Sequence, residues 1–116
     1  MPETDPDCLF CGIVAGEIPS DRVYEDDRVV VFRDVNPQAP THVLAIPRRH
    51  IPSAANLTDA DGELLAALFG ALRRVAEEAG LHGYRIVTNV GAEAGQSVFH
   101  LHLHLLAGRP MAWPPG

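Results

Sequence analysis

Three histidines alternate with leucines near the end of the chain, in the segment VFHLHLHLLAG at positions 98–108. Because side chains of a β-strand point to opposite faces in turn, this spacing predicts a strand with His100, His102 and His104 on one face. The leucine face would pack into a core, and the imidazole face would meet water, a ligand or a metal ion. Neighbouring imidazoles would lie about 6.6 Å apart along the strand. One zinc ion could not bind all three without a bend, so we expect them to divide their roles.

The middle histidine, His102, is the candidate nucleophile, because a neutral imidazole is available near pH 7 and can attack phosphorus and leave again. Its other ring nitrogen would donate to an acceptor, for which we expect a backbone carbonyl, assisted by His42. His104 would act on the same phosphate by hydrogen bonding or charge. The segment Gly95-Gln96-Ser97 lets backbone approach a ligand closely, and Ser97 would orient the phosphate or assist the leaving group. The alternative for this segment is a plain connecting turn.

The cysteines of the chain, Cys8 and Cys11, have the spacing of a thiolate pair on a helix. Two thiolates do not complete a tetrahedral zinc site, and His50 and His100 are the candidates for the other two ligands. Redox chemistry and a reduced, inactive pair are the alternatives. Asp34 stands at the end of a predicted strand, where it either caps the next turn or binds a pair of sugar hydroxyls.

Composition narrows the class of protein. A chain of 116 residues fits one domain, and its net charge of −6 argues against non-specific binding to nucleic acid while allowing a local site for a small anion. We expect no secretory signal, since no basic region precedes an apolar run at the N-terminus, and no apolar run approaches the ~18 residues of a membrane span. The two close cysteines provide no disulfide framework, which favours a cytoplasmic protein.

Hydrophobic periodicity predicts an α+β fold, with a mainly antiparallel sheet of about five strands, one long helix and a short N-terminal helix. Thr58 and Asp61 have the spacing of a capping box at the start of the long helix, and Gly80 suits its end. Residues 1–7 are expected to be flexible. The predicted short helix spans 8–18, the long helix follows residue 58, and the predicted strands span 23–25, 28–33, 42–47, 84–89 and 98–108.

These residues resemble the histidine-triad (HIT) nucleotide-binding proteins, and among them the Hint branch of bacterial type with a Cys-x-x-Cys pair. The resemblance covers nearly all of residues 8–116, including EDDRVVVFRDVNPQAPTHVLAIPRRHI, GQSVFHLHLHLLAGR and the terminal WPPG. It implies a single HIT domain over 1–116, with 108–116 as a C-terminal tail. It also implies a homodimer in which two sheets join into one.

The resemblance further implies a function and a set of residues. A protein of this kind binds purine nucleoside monophosphates and hydrolyses nucleoside 5′-phosphoramidates, such as adenosine 5′-phosphoramidate, through a nucleotidyl-histidine intermediate. Hydrolysis of dinucleoside polyphosphates, and nucleotide binding in a sensor with incidental activity, are the alternatives. The implied catalytic residues are His102, His104, His42 and Ser97. The implied nucleotide contacts are the ribose-binding Asp34 with Val35, Asn89, Gly95, Gln96, Ser97, His102, His104, Phe10, Phe32 and Leu44.

The resemblance also implies a structural zinc site made of Cys8, Cys11, His50 and His100. Zinc at His100 would commit one of its ring nitrogens to the ion and so remove it from a proton relay. Trp113 lies in the tail, which in this branch reaches the active site of the partner chain and influences the choice of substrate.

Overall fold

The computed structural model describes residues 4–116 and shows five strands in that range. In chain order the helices and strands are α1 (Leu9–Val14), β1 (Arg22–Glu25), β2 (Val29–Arg33), β3 (Thr41–Pro47), α2 (Gly62–Glu78), β4 (Arg85–Val87) and β5 (Leu103–Ala107). The strands form one antiparallel sheet in the order β1-β2-β3-β5-β4. The sheet, the long helix α2 and the short helix α1 confirm the predicted α+β fold.

The two faces of the sheet are covered by different helices. Val29 and Val31 of β2 pack into a core with α2, whereas Val30 and Phe32 pack into a second core with α1. This explains why Val29–Phe32 is continuously apolar, since both faces of β2 are buried. The imidazole face of the sheet is the one that α1 covers.

The long helix ends where the sequence predicts, and it begins one 3₁₀ turn later than predicted. Thr58 and Asp61 form the expected capping box, which starts a 3₁₀ turn, Asp59–Asp61, that leads directly into α2. The Thr58 backbone N–H donates to Asp61 Oδ2 at 2.9 Å. Beyond α2, Gly80 has a φ of 68°, the left-handed conformation that follows a helix end and favours glycine.

The histidine strand is shorter than predicted. β5 begins at Leu103, so His100 and His102 precede it, and the prediction of a strand over 98–108 is wrong at its N-terminal end. The physical reason is that the Leu101 N–H donates to the carbonyl of Ile51, outside the sheet, at 2.6 Å. Alternation survives without strand pairing, because Leu101 is still buried in the core formed with α2.

Two other predicted elements are also shorter in the structure. The helix predicted over 8–18 ends at Val14, and Gly16 follows with a φ of 78°. The strand predicted over 84–89 is paired only over Arg85–Val87. Each end lies where hydrogen bonding to a neighbour stops, which periodicity alone does not define.

The prediction of a flexible N-terminal segment falls partly on residues 1–3, outside the described residues. Further along, residues 5–8 make a turn in which the Cys8 N–H donates to the Asp5 carbonyl at 3.0 Å and the Asp7 N–H donates to Asp5 Oδ1 at 2.9 Å. None of the helices within residues 4–116 has the length and apolar character needed to cross a bilayer.

Candidate active site and metal centre

Two thiols and two imidazoles lie together at the N-terminal end of α1. Cys8 is the N-cap of this helix and Cys11 lies in its first turn; the Cys11 N–H donates to Cys8 Sγ at 3.4 Å. His50 follows β3 and His100 precedes β5, so adjacent strands bring the imidazoles to the same place. The four ligand atoms all lie within 4.8 Å of one another.

The spacing of these four atoms fits a tetrahedral zinc ion. The sulfur–nitrogen distances are 3.4 Å for Cys8–His100, 3.4 Å for Cys11–His50 and 3.6 Å for Cys11–His100, and the two Nδ1 atoms are 3.3 Å apart. Tetrahedral zinc with its usual bond lengths would separate sulfur from nitrogen by about 3.5 Å and the nitrogens by about 3.3 Å.

The proton of His100 is in the right place for metal binding. Its Nε2–H donates to the Pro47 carbonyl at 2.8 Å, which leaves a lone pair on Nδ1 directed at the sulfurs. Burial raises the pKa of the Cys11 thiol, and a bound cation would offset this by stabilising the thiolate. This donor set favours a structural metal over the redox and inactive alternatives.

His102 holds its ring in one orientation. Its Nδ1–H donates to the carbonyl of His100 at 2.7 Å, so the lone pair of the neutral ring is on Nε2. The ring is 7% exposed, and burial lowers its pKa, which keeps it neutral near pH 7. The expected carbonyl acceptor is therefore present. His42 does not assist this bond; it contacts His104 instead.

A directed chain of hydrogen bonds lies beside His102. The Gln38 N–H donates to Nδ1 of His42 at 3.0 Å, which fixes the His42 proton on Nε2. This Nε2–H points at Nδ1 of His104, 2.9 Å away, and at Oδ2 of Asp34, 3.4 Å away. His104 must then carry its own proton on Nε2, and its ring centroid is 5.0 Å from that of His102.

The same chain explains why Asp34, His42 and His104 do not make a second metal site. Their ligand atoms also lie within 4.8 Å of one another. A metal would need the lone pair of His42 Nε2, but the N–H of Gln38 occupies Nδ1 and keeps the proton on Nε2. Burial, with neighbouring imidazoles, lowers the pKa of His104 to about 4, so the ring of His104 is neutral at pH 7.

The loop before the histidine segment is built around Gln96. Its buried side chain accepts from the Gly91 N–H at 2.8 Å and donates to the carbonyls of Pro52 and Val98 at 2.8 and 3.1 Å. The amide is thus occupied within the protein and holds the loop in shape. Gly95 has a φ of 94° and lies next to the side chain of Asn89, so these two predicted contacts are neighbours.

Comparison with known proteins places this arrangement in a family. The model of the HIT domain family matches residues 15–111 of the chain.

The chain belongs to the HIT domain family. A HIT family hydrolase from Legionella pneumophila is 51% identical and superposes with a TM-score of 0.93, over 95% of this chain and 100% of that one. A relative from Zea mays, named 14 kDa zinc-binding protein, is 47% identical over 97% of this chain and 90% of its own length. A histidine triad nucleotide-binding protein from Candida albicans is 31% identical, with a TM-score of 0.81, over 93% and 83% of the two chains.

The remaining predicted residues of this HIT protein divide into two groups. Phe10, Phe32 and Leu44 are buried together beside the imidazoles, where they form an apolar wall. Val35 and Ser97 are exposed, and Val35 is 99% so. Ser97 lines a cavity of 410 Å³ together with Cys8 and His50, on the side of the metal cluster.

Sequence reasoning missed several groups that position the site. They are the N–H of Gln38, the carbonyls of Pro47 and His100, and the Thr88 hydroxyl, which donates to the carbonyl of His102 at 2.8 Å. Backbone groups leave no mark in a sequence. Thr88 has no signal that separates it from any other threonine beside a strand.

Proposed function

We propose that this HIT protein hydrolyses nucleoside 5′-phosphoramidates through a nucleotidyl intermediate on His102. The observation that carries the proposal is the 2.7 Å hydrogen bond from His102 Nδ1–H to the His100 carbonyl, which leaves Nε2 free to attack. The adjacent chain of Asp34, His42 and His104 supplies an N–H beside the nucleophile. The relative from Legionella pneumophila is described as a hydrolase and the one from Candida albicans as nucleotide-binding, which agrees with the proposal.

The proposed first step transfers the nucleotide to the protein. Nε2 of His102 attacks the α-phosphorus as the phosphorus–nitrogen bond breaks. The leaving nitrogen takes a proton from solvent through the Ser97 hydroxyl and departs as an amine. Charge that develops on the phosphoryl oxygens is stabilised by the Nε2–H of His104, while the His100 carbonyl stabilises the positive charge on the His102 ring.

The proposed second step returns the protein to its starting state. Water attacks phosphorus, loses one proton to solvent and displaces the neutral His102 ring. The products over both steps are an amine and a nucleoside monophosphate. Because His100 has one nitrogen bonded to Pro47 and the other directed at the cysteines, it takes no part in moving protons.

The proposed nucleotide site lies around the same groups. Asp34 would bind the ribose hydroxyls, and the apolar wall of Phe10, Phe32 and Leu44, with Val35, would contact a purine base. Asn89 and the backbone of Gly95-Gln96 would contact the phosphate, since the Gln96 side chain is occupied. The structural zinc ion would be held by Cys8, Cys11, His50 and His100.

We also propose a homodimer in which β4 pairs with a second copy of the chain. β4 is an edge strand of the sheet, and Tyr84 and Val90 near its two ends are large and exposed. Nη2 of Arg85 donates to the Ala112 carbonyl at 2.9 Å, so the tail that carries the exposed Trp113 passes next to that edge. Light scattering should give twice the chain mass of 12.5 kDa.

The function is tested by comparing substrates and trapping the intermediate. We expect adenosine 5′-phosphoramidate to be turned over much faster than a diadenosine polyphosphate. Mass spectrometry of the quenched protein should place a nucleotidyl group on the peptide that contains His102. A faster polyphosphate reaction would favour the dinucleoside alternative, and tight nucleotide binding without turnover of either substrate would favour the sensor.

A further inference from the structure

One residue belongs to both clusters. The Nδ1 atom of His100 faces the cysteines, 3.4 Å from Cys8 Sγ, while its backbone carbonyl accepts the hydrogen bond that orients His102. The Nε2–H of the same ring donates to the Pro47 carbonyl, and this hydrogen bond fixes the orientation of the ring. The side chain is completely buried, so no water replaces any of these partners.

A second connection runs through α1. Phe10 stands between Cys8 and Cys11 in the sequence, and the edge of its ring packs against His102, with centroids 5.1 Å apart at 87°. The same ring is 6.0 Å from that of His100. A helix of six residues is not stable by itself, so the position of Phe10 depends on what holds the two cysteines.

We propose that the Cys8–Cys11–His50–His100 cluster, when it holds its metal, positions the nucleophile: it maintains His102 in the Nδ1–H tautomer and in one ring orientation. His100 and Phe10 are then positioning residues that act through His102. This inference rests on the proposed function, which it deepens by making turnover depend on a metal that does not touch the substrate.

The distances explain why the metal-free cluster would not keep this arrangement. Four pairs of its donor atoms would lie 3.3–3.6 Å apart, with two thiols competing for the lone pairs of two imidazoles. Any shift of His100 moves its carbonyl, which among the described residues is the one hydrogen-bond partner of His102 Nδ1–H, at 2.7 Å. With that bond lost, the proton of His102 redistributes between its nitrogens and the attacking lone pair is no longer fixed.

The experiment compares one protein with and without zinc. Wild-type protein is loaded with zinc, stripped with a chelator and reloaded, and its histidine rings are followed by long-range ¹H–¹⁵N correlation spectra. We expect His102 as a single Nδ1–H tautomer when loaded, a mixture when stripped, and recovery on reloading. We expect kcat to fall roughly 10²-fold on stripping, as for a displaced reacting group.

A zinc-loaded variant decides the same question without removing the metal. Phe10→Leu should keep its zinc and lower kcat, with mixed tautomers at His102. Its matched control is Ile13→Val, a buried residue of the same helix and core, which should leave tautomer and kcat unchanged. A single Nδ1–H tautomer and unchanged kcat in both the stripped protein and Phe10→Leu would overturn the proposal.

The spectra also separate this inference from the proposed function. If no phosphoramidate is turned over, the proposed function fails, and the tautomer of His102 still reports whether the metal cluster positions its ring. If turnover is found and the tautomer does not change, only the positioning inference fails.

Discussion

Two clusters on one face of the sheet have similar composition and opposite chemistry. The first contains two imidazoles and two thiols, and the second contains two imidazoles, His42 and His104, with the carboxylate of Asp34. In the first cluster the Nε2–H of His100 donates to a backbone carbonyl, so the lone pair on Nδ1 faces the centre of the cluster. In the second cluster a backbone N–H donates to the lone pair on Nδ1 of His42, so the Nε2–H of that ring faces the centre of the cluster.

This difference shows that backbone partners, more than residue types, decide what a group of histidines can do. A lone pair directed inward binds a cation, whereas an N–H directed inward donates to another ring or to a phosphate. His102, the proposed nucleophile, lies between the two clusters, because its ring donates to the backbone carbonyl of His100 and packs near His104.

The largest effect on activity is expected from His102→Ala, which removes the imidazole that lies between the two clusters. We expect turnover of the phosphoramidate to fall by at least about 10⁴-fold, because the group that forms the covalent intermediate is lost. AMP binding should be retained, since Asp34 and the apolar wall are unchanged. Stopped-flow kinetics and calorimetry measure the two effects.

His82→Ala provides the matched control for that variant, because His82 is an exposed histidine outside both clusters. Its kinetics should equal those of the wild type. Normal single-turnover chemistry in His102→Ala would end the assignment of the nucleophile.

The next largest effect is expected from Cys11→Ser, which removes one thiol from the metal cluster. We expect the variant to lose its zinc and its melting temperature to fall by at least about 10 °C, because the loss of a bound metal is among the costliest single changes. Elemental analysis and thermal unfolding measure this. Ala15→Ser, on an exposed residue at the end of the same helix, should keep both metal and melting temperature. Wild-type protein that contains no zinc would contradict the metal assignment.

A smaller effect is expected on the pH dependence of stability, and it comes from His104 in the second cluster. Burial, with the nearby His102 and His42, lowers the pKa of His104 to about 4 from its ordinary value of 6.5, while Asp34 opposes the shift. Between pH 4 and pH 6.5, His104 binds more protons in the unfolded chain than in the folded one. The contribution of its neutral ring to the free energy of unfolding is therefore complete above pH 6.5 and is lost as the pH falls toward 4.

Urea unfolding at pH 7 and pH 5 measures that contribution. The free energy of unfolding should decrease more for the wild type than for His104→Gln. Acid release of zinc is common to both proteins and cancels in the difference. Equal losses in the two proteins would show that His104 is not the group responsible.

The fold was predictable because its signals are local and repeated. Alternation in HLHLHLL placed the leucines in the core correctly, and the capping pair Thr58 and Asp61 marked the turn that leads into the long helix. The start of β5 was not predictable, since it depends on the Leu101 N–H, which donates to the carbonyl of Ile51 fifty residues earlier in the chain.

The site was predictable in residue type and only partly in arrangement. Cysteine spacing with two further histidines predicted the metal cluster, because each ligand has a recognisable side chain. The expected assistance of His102 by His42 was wrong, because His104 stands diagonally across the β3–β5 ladder from His42 and meets it first. The protons of three of these rings, those of His42, His100 and His102, are fixed by backbone groups, which no side-chain pattern reveals.

The smallest expected effect comes from Thr88→Val, and it sharpens the account of how His102 is held. Two carbonyl groups make hydrogen bonds at His102: that of His100 accepts from its ring, and its own accepts from the Thr88 hydroxyl. Thr88 is exposed, so water replaces the lost hydroxyl in part, and the cost stays below about 1 kcal/mol. We expect kcat to fall at most about threefold in steady-state kinetics, with Thr88→Ser unchanged. A fall as large as that expected on metal removal would show that the main chain at His102, rather than the ring bond to His100, sets the position of the nucleophile.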